Sequence, residues 1–235
     1  GWLNETALSA PRSPMCRSVL VESAFAAADV PVYDSTLYEG GTSLSTADNI
    51  LRAGRELGLC SDDADTNALV TRGDAAIILH VVLTQSFRIE EPPVPVTLVN
   101  AAGVNVNDFL LELRKLPEQV LDAFNAAGWT YRIDFDYISE LSNRLNMSCI
   151  GATNYSRKTI YISEASATLH EFGHFLDWTL GFPAEHEQLF RAEAAAAPLR
   201  NYAKTNAREY FADCFAYWVK YAENANAISL LQECA

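Results

Sequence analysis

The chain has 235 residues, of which 49% are hydrophobic and 20% are charged, the balance of an ordinary globular protein. Its formal net charge is −13, from 30 acidic and 17 basic side chains. This charge argues against a nucleic-acid partner, because phosphate binding needs a basic surface. No apolar run reaches the length of a membrane span. We therefore expect a folded protein that binds no nucleic acid and crosses no membrane.

The first part of the chain has the pattern of a small helical domain. Apolar residues repeat with helical spacing at 19–27, 50–57 and 75–83, and stretches of loop composition separate them. Three prolines then fall within 92–95, where they favour an extended spacer. The sequence predicts a helical domain over residues 1–90, a linker over 91–95 and a second domain over 96–235.

One segment of the first part resembles an S-layer homology repeat. In this segment Thr71-Arg72 enters an alanine-rich helix, and the earlier stretch 13–17 is similar to a degraded copy with Cys16 in place of the threonine. The resemblance implies attachment to a cell-wall polymer. The simpler interpretation makes Thr71 a helix N-cap and Arg72 a surface charge, and both interpretations remain open.

The cellular location is suggested only indirectly. The chain starts at Gly1 without a methionine, which fits the removal of a signal peptide. The five cysteines are scattered and form no C-x-x-C pair, so they predict neither a second zinc site nor a dense disulfide scaffold. We expect a secreted or cell-surface protein, with the redox state of the cysteines left open.

The second part mixes strands and helices. Strand patterns occur at 96–99 and 130–135, and 149–163 has the pattern of a hairpin. Between them the pattern is helical, at 106–116, 117–127 and 137–147. Strands followed by helices predict an α+β fold.

The strongest chemical motif is an H-E-x-x-H sequence in a helical context, formed by His170, Glu171 and His174. Residues four apart lie on one helix face, so both histidines can point at the same metal ion. Glu171 flanks that metal and is placed to act as a general base. The motif predicts one catalytic zinc ion per chain, Zn²⁺ held by His170 and His174.

Catalytic zinc takes three protein ligands, so one more is needed. The metzincin pattern is excluded because Asp177 and Leu180 stand where it requires glycine and histidine. A downstream carboxylate is expected instead, either Glu193 or Glu209. Glu209 is favoured because Asp213 shares its helix face and can orient a ligand histidine.

Two of these acidic residues have alternative roles. Asn206 and Glu209 also have the spacing of a capping box at the start of a helix. Asp177 lies on the same helix face as His174, where it fits either an acceptor that orients a ligand histidine or a solvated surface acid. Both pairs of alternatives remain open.

Two motif blocks resemble the catalytic domain of anthrax lethal factor and are similar to the Pro-Pro endopeptidases of clostridia. The blocks are His170-Glu171-Phe172-Gly173-His174-x-x-Asp177 and Tyr202-x-x-Thr205-Asn206-x-x-Glu209-Tyr210-Phe211-Ala212-Asp213. The resemblance covers roughly 116–221. It implies that Glu209 is the third zinc ligand and that Tyr202 stabilises the oxyanion. The chain departs from the family at Asp213, where the family carries a glutamate.

Together these features predict a zinc metallopeptidase domain that hydrolyses a peptide or protein substrate. Two alternatives remain. The first is a non-catalytic cell-wall or ligand-binding protein on an inert zinc fold, against which the presence of Glu171 argues, since a structural site has no use for a base. The second is a zinc hydrolase with a substrate other than a peptide.

Overall fold

The computed structural model describes residues 14–61, 64–84 and 89–223; Ser13, the first residue of the earlier repeat-like segment, lies outside them. The chain divides into two compact units between Pro93 and Val94. Within the described residues, no helix has the length and apolar character needed to cross a membrane.

The described residues of the first unit form three α-helices, which match the three predicted ones. They are α1 (Arg17–Ala28), α2 (Thr46–Glu56) and α3 (Arg72–Thr84). Helix α1 packs against both of the others. Helix α2 begins earlier than its apolar pattern because the Ser45 hydroxyl accepts from the backbone N–H of Asp48, which caps the first turn.

The second unit is built around a four-stranded mixed sheet. Its strands are β1 (Leu98–Asn100), β2 (Thr130–Ile133), β3 (Gly151–Asn154) and β4 (Thr159–Ile162). The order across the sheet is β1-β2-β4-β3. The first three strands in that order are parallel, whereas β3 pairs antiparallel with β4 and forms an edge. The predicted hairpin is present, and the α+β fold class is confirmed.

Among the residues of this unit that the structure describes, six α-helices accompany the sheet. They are α4 (Asn107–Leu113), α5 (Glu118–Ala126), α6 (Phe135–Leu145), α7 (Thr168–Thr179), α8 (Ala184–Glu193) and α9 (Ala207–Tyr221).

Helix α6 begins two residues before the predicted start, and the preceding strand is correspondingly shorter than 130–135. The side chain of Asp134 causes this difference, since it accepts a hydrogen bond from the backbone N–H of Tyr137 and so starts the helix. At the other end Asn146 takes the left-handed conformation, with φ 50°, and stops the helix before Met147.

Helix α7 carries the H-E-x-x-H motif through the centre of the second unit. One side of it contributes the fully buried Phe172 and Phe175 to an aromatic core with Phe124 and Trp129. Burying aromatic side chains of this size is a major source of stability and of fixed orientation. This packing fixes the rotation of α7 about its axis, and with it the direction in which the polar side of the helix faces.

Helix α7 also packs against helix α9, and the two helices approach closely. A Cβ atom added at Gly173 would lie 2.6 Å from the Cα atom of Ala212, so only glycine fits at this crossing. Gly173 belongs to the first motif block and Ala212 to the second. Their close contact therefore joins the two blocks and brings the first turn of α9 toward the histidines of α7.

Candidate metal centre

Two histidines and one glutamate meet where α7 and α9 cross. The Nε2 atoms of His170 and His174 are 3.1 Å apart. Oε2 of Glu209 lies 3.1 Å from Nε2 of His170 and 3.4 Å from Nε2 of His174. These three residues are a group that can hold a metal ion.

The spacing of these atoms can be compared with that of a bound zinc ion. Ligand atoms about 2.0–2.1 Å from zinc, at tetrahedral angles, lie about 3.3 Å from one another. The three separations in the group, 3.1, 3.1 and 3.4 Å, are close to that value. Oε2 of Glu209 is also buried without a hydrogen-bond partner among the described residues. The two nitrogens and one oxygen therefore fit a tetrahedral cation such as zinc.

Glu209 reaches this position from the first turn of α9. The side chain of Asn206 caps that turn by accepting from the backbone N–H groups of Arg208 and Glu209. The carboxylate of Glu209 points instead toward the histidines, which lower its pKa although burial opposes that effect. Asn206 therefore caps the helix, whereas the carboxylate of Glu209 lies beside the histidines.

His170 is oriented by a carboxylate behind it. Its Nδ1 donates to Oδ1 of Asp213 over 2.6 Å, which turns Nε2 of the same ring toward Glu209. Arg200 holds Asp213 in turn with two hydrogen bonds, of 2.6 and 2.8 Å. Burial opposes protonation of His170, but Asp213 and Glu209 raise its pKa to about 9.

Glu171 is almost completely buried beside this group, with 4% of its surface exposed. Burial raises the pKa of its carboxyl group, although the neighbouring histidines act in the opposite direction. One carboxylate oxygen accepts a 2.7 Å hydrogen bond from the hydroxyl group of Thr153 on β3. Glu171 is thus a fixed, desolvated carboxylate next to three candidate metal ligands.

Tyr202 lies in a short 3-10 helix, Asn201–Lys204, that precedes α9. Its ring centroid is 6.2 Å from that of His170. Burial and the carboxylate of Glu209 raise the pKa of Tyr202 to about 12, so its phenol is protonated at neutral pH and can donate a hydrogen bond.

Two predicted residues lie outside the group. Glu193, the rival third ligand, accepts a hydrogen bond from the hydroxyl of Tyr210 over 3.2 Å. Asp177 is buried and pairs with His186 over 2.7 Å instead of with a histidine of the group. Nδ1 of His174 is buried and has no hydrogen-bond partner among the described residues.

Sequence reasoning missed Arg200, Thr153 and His186. Arg200 stands two residues before Tyr202, at the edge of the second motif block, which is the only signal that it belongs to the site. Thr153 gave no signal, because its contact with Glu171 depends on how β3 lies against α7. His186 is a histidine outside any motif, and its pairing with Asp177 follows from the packing of α8.

The group opens into a cleft of about 580 Å³. One wall comes from the edge strand β3 and another from the end of α6 and the segment after it, including Leu145 and Met147. Both of these apolar side chains are about half exposed. Glu171 is also one of the residues that line this cleft.

The fold and the cleft define a class: an α+β domain with a two-histidine, one-glutamate group of the kind found in metal-dependent hydrolases. Residues 111–235 match the family described as anthrax toxin lethal factor, N- and C-terminal domain. Because the match covers more than half of the chain, the protein belongs to this family. The resemblance expected from the two motif blocks is confirmed. Comparison with curated proteins gives no match.

Proposed function

We propose that this protein is a zinc-dependent endopeptidase with one zinc ion per chain. The observation that carries the proposal is the buried carboxylate of Glu171, which lies beside the group of His170, His174 and Glu209 and in the same cleft. Structural zinc sites use four protein ligands and have no use for a base. A three-ligand set of imidazole and carboxylate with an adjacent buried acid supports a catalytic site.

A bound zinc ion would supply a Lewis acid that polarises the scissile carbonyl and increases the acidity of water. Glu171 takes a proton from the attacking water and later passes it to the leaving amine. Tyr202 donates a hydrogen bond to the oxygen that becomes negative during the attack. Asp213 keeps the proton of His170 on Nδ1, so that Nε2 stays available as a ligand.

The substrate is proposed to be an extended peptide. The edge strand β3 lines the cleft, and its outer side has no neighbouring strand in the described sheet. An extended segment can add to such an edge through main-chain hydrogen bonds. A peptide bound in this way would pass directly in front of Glu171.

The proposal is tested by replacing the base. We expect Glu171→Ala to abolish cleavage of a diverse peptide library while zinc content, measured by mass spectrometry, stays near one per chain. Glu118→Ala, an exposed residue in the first turn of α5, serves as the matched control and should cleave like the unmodified protein. Unchanged cleavage by Glu171→Ala, or a protein that never holds stoichiometric zinc, would favour the alternative of a non-catalytic binding protein on an inert fold.

We also infer that the first unit binds a cell-wall polymer and that the protein is secreted or cell-surface associated. Two helices of this unit start at an arginine, Arg17 in α1 and Arg72 in α3. The chain segments before these helices meet in an antiparallel bridge between Cys16 and Leu69. A toxin family is consistent with export.

Wall binding is tested by sedimentation. The full chain should sediment with purified cell-wall sacculi, and Arg72→Ala should not. Absence of binding by the full chain would refute this role.

A further inference from the structure

Two residues of β3 face the proposed general base. Successive side chains of a strand alternate between the two faces of its sheet, so Gly151 and Thr153 share one face. They stand opposite Ile162 and Ile160 of β4, which are completely buried. That face is the one that packs against α7, where Glu171 lies.

Thr153 holds one oxygen of the Glu171 carboxylate. Its Oγ1 lies 2.7 Å from Oε2 of Glu171 and 3.3 Å from the backbone oxygen of the same residue. The hydroxyl group has a single proton, and the shorter contact to a charged oxygen is the stronger hydrogen bond.

Gly151 leaves the space that the rest of this carboxylate fills. A Cβ atom at position 151 would lie 2.7 Å from Oε1 and 2.9 Å from Cγ of Glu171. These distances are shorter than a van der Waals contact, so any other residue would displace the carboxylate. Because Glu171 is almost completely buried, it has little room to move aside.

We propose that Thr153 is a positioning residue for Glu171, and that Gly151 is required because it leaves the room for this orientation. The inference rests on the proposed function. The same edge strand would then do two things: pair with the substrate on its outer side and hold the base on its inner face. Small misplacements of a catalytic group reduce the rate of the chemical step more than they affect substrate binding.

The decisive variants separate the hydroxyl group of Thr153 from its methyl group. Thr153→Val removes the hydroxyl group and keeps a similar shape. We expect kcat to fall roughly 10- to 100-fold, the range for lost hydrogen-bond partners around a metal site, with KM and zinc content unchanged. Thr153→Ser restores a hydroxyl and should recover most of the lost rate. Thr159→Val is the matched control, because this hydroxyl on β4 bonds to the carbonyl of Arg157, away from Glu171.

A second measurement does not depend on activity. Crystal structures of the zinc-free protein should show the Glu171 carboxylate in one orientation in the unmodified chain and in Thr153→Ser. In Thr153→Val the carboxylate should rotate or occupy two orientations. An unmoved carboxylate in Thr153→Val, or an undiminished kcat, would overturn the inference. If the unmodified chain cleaves no peptide even with zinc, the proposed function fails, and the crystal structures still decide the role of Thr153.

Discussion

The imidazole of His170 and the carboxylate of Asp213, 43 residues apart in the chain, are joined by a 2.6 Å hydrogen bond. Asp213 is buried and Arg200 donates a hydrogen bond to each of its two oxygens, so the imidazole ring has one preferred orientation. Burial opposes ionisation of Asp213, but His170 and Arg200 together lower its pKa. The carboxylate is therefore ionised at neutral pH and accepts a hydrogen bond from the N–H group at Nδ1.

This pairing predicts that Asp213 contributes to zinc affinity without being a ligand. Asp213→Ala removes the acceptor that fixes the tautomer of His170, and we expect zinc affinity to fall about 10- to 100-fold. Titration against a competing chelator measures this change. Asp136→Ala, an exposed residue of α6, should bind zinc like the unmodified chain. Equal affinities in the two variants would mean that Asp213 has only a structural role.

The choice between the two candidate ligands is tested with a pair of identical substitutions. Glu209→Gln should lower zinc affinity more than Asp213→Ala does, because it replaces a proposed ligand. Glu193→Gln should leave zinc affinity unchanged, since Glu193 bonds to Tyr210 outside the group. If Glu209→Gln instead retained zinc and only lowered the melting temperature, its role would be limited to the start of α9.

The parts of the site that could be predicted from the sequence depend on local geometry. The histidines His170 and His174 lie four residues apart on one helix, so helix pitch alone brings them together. Helix pitch alone could not predict Glu209 as a ligand, because its distance from the histidines depends on the close crossing of α7 and α9 at Gly173. Its prediction therefore depended on the second motif block. The fold class could be predicted because strand and helix patterns are also local.

Contacts made across the sheet could not be predicted in the same way. Thr153 reaches Glu171 because of the register of β3 against β4, and a shift of one residue would turn its side chain to the other face. The partner of Asp177 had the same difficulty, since the position of His186 depends on how α8 packs against α9, where its ring stacks on Phe211. Such tertiary contacts have no signature in the spacing of residues.

Tyr202 is predicted to act in the chemical step. Tyr202→Phe keeps the ring and removes the phenol O–H, the hydrogen-bond donor of this side chain. Loss of one oxyanion donor typically lowers kcat about 10²- to 10³-fold. KM and zinc content should stay unchanged. Tyr217→Phe, whose ring packs against Tyr221 in α9, is the matched control in steady-state assays. A loss of zinc, rather than of kcat, would show that Tyr202 supports the metal site.

The start of helix α3 is stabilised by reciprocal hydrogen bonds. Oδ2 of Asp74 accepts from the backbone N–H of Thr71, and the backbone N–H of Asp74 donates to the hydroxyl of Thr71. This arrangement is a capping box, and Arg17 adds an ion pair to Asp74. The hydrogen bonds from the backbone and hydroxyl group of Thr71 lower the pKa of Asp74, with a smaller contribution from Arg17.

The capping box leads to a pH-dependent prediction. Because the pKa of Asp74 is lower in the folded state, its contribution to stability is complete above the unfolded pKa of about 3.9 and is lost as the pH falls through the folded value. We expect Asp74→Asn to reduce the free energy of unfolding by about 1 kcal/mol at pH 7, the usual value of a helix cap. In urea denaturation of the full chain, this difference should shrink as the pH is lowered below about 4. Asp29→Asn, at the exposed end of α1, should cause no such loss. A destabilisation by Asp74→Asn that stayed constant down to low pH would show that the charge of Asp74 is not the source of its effect.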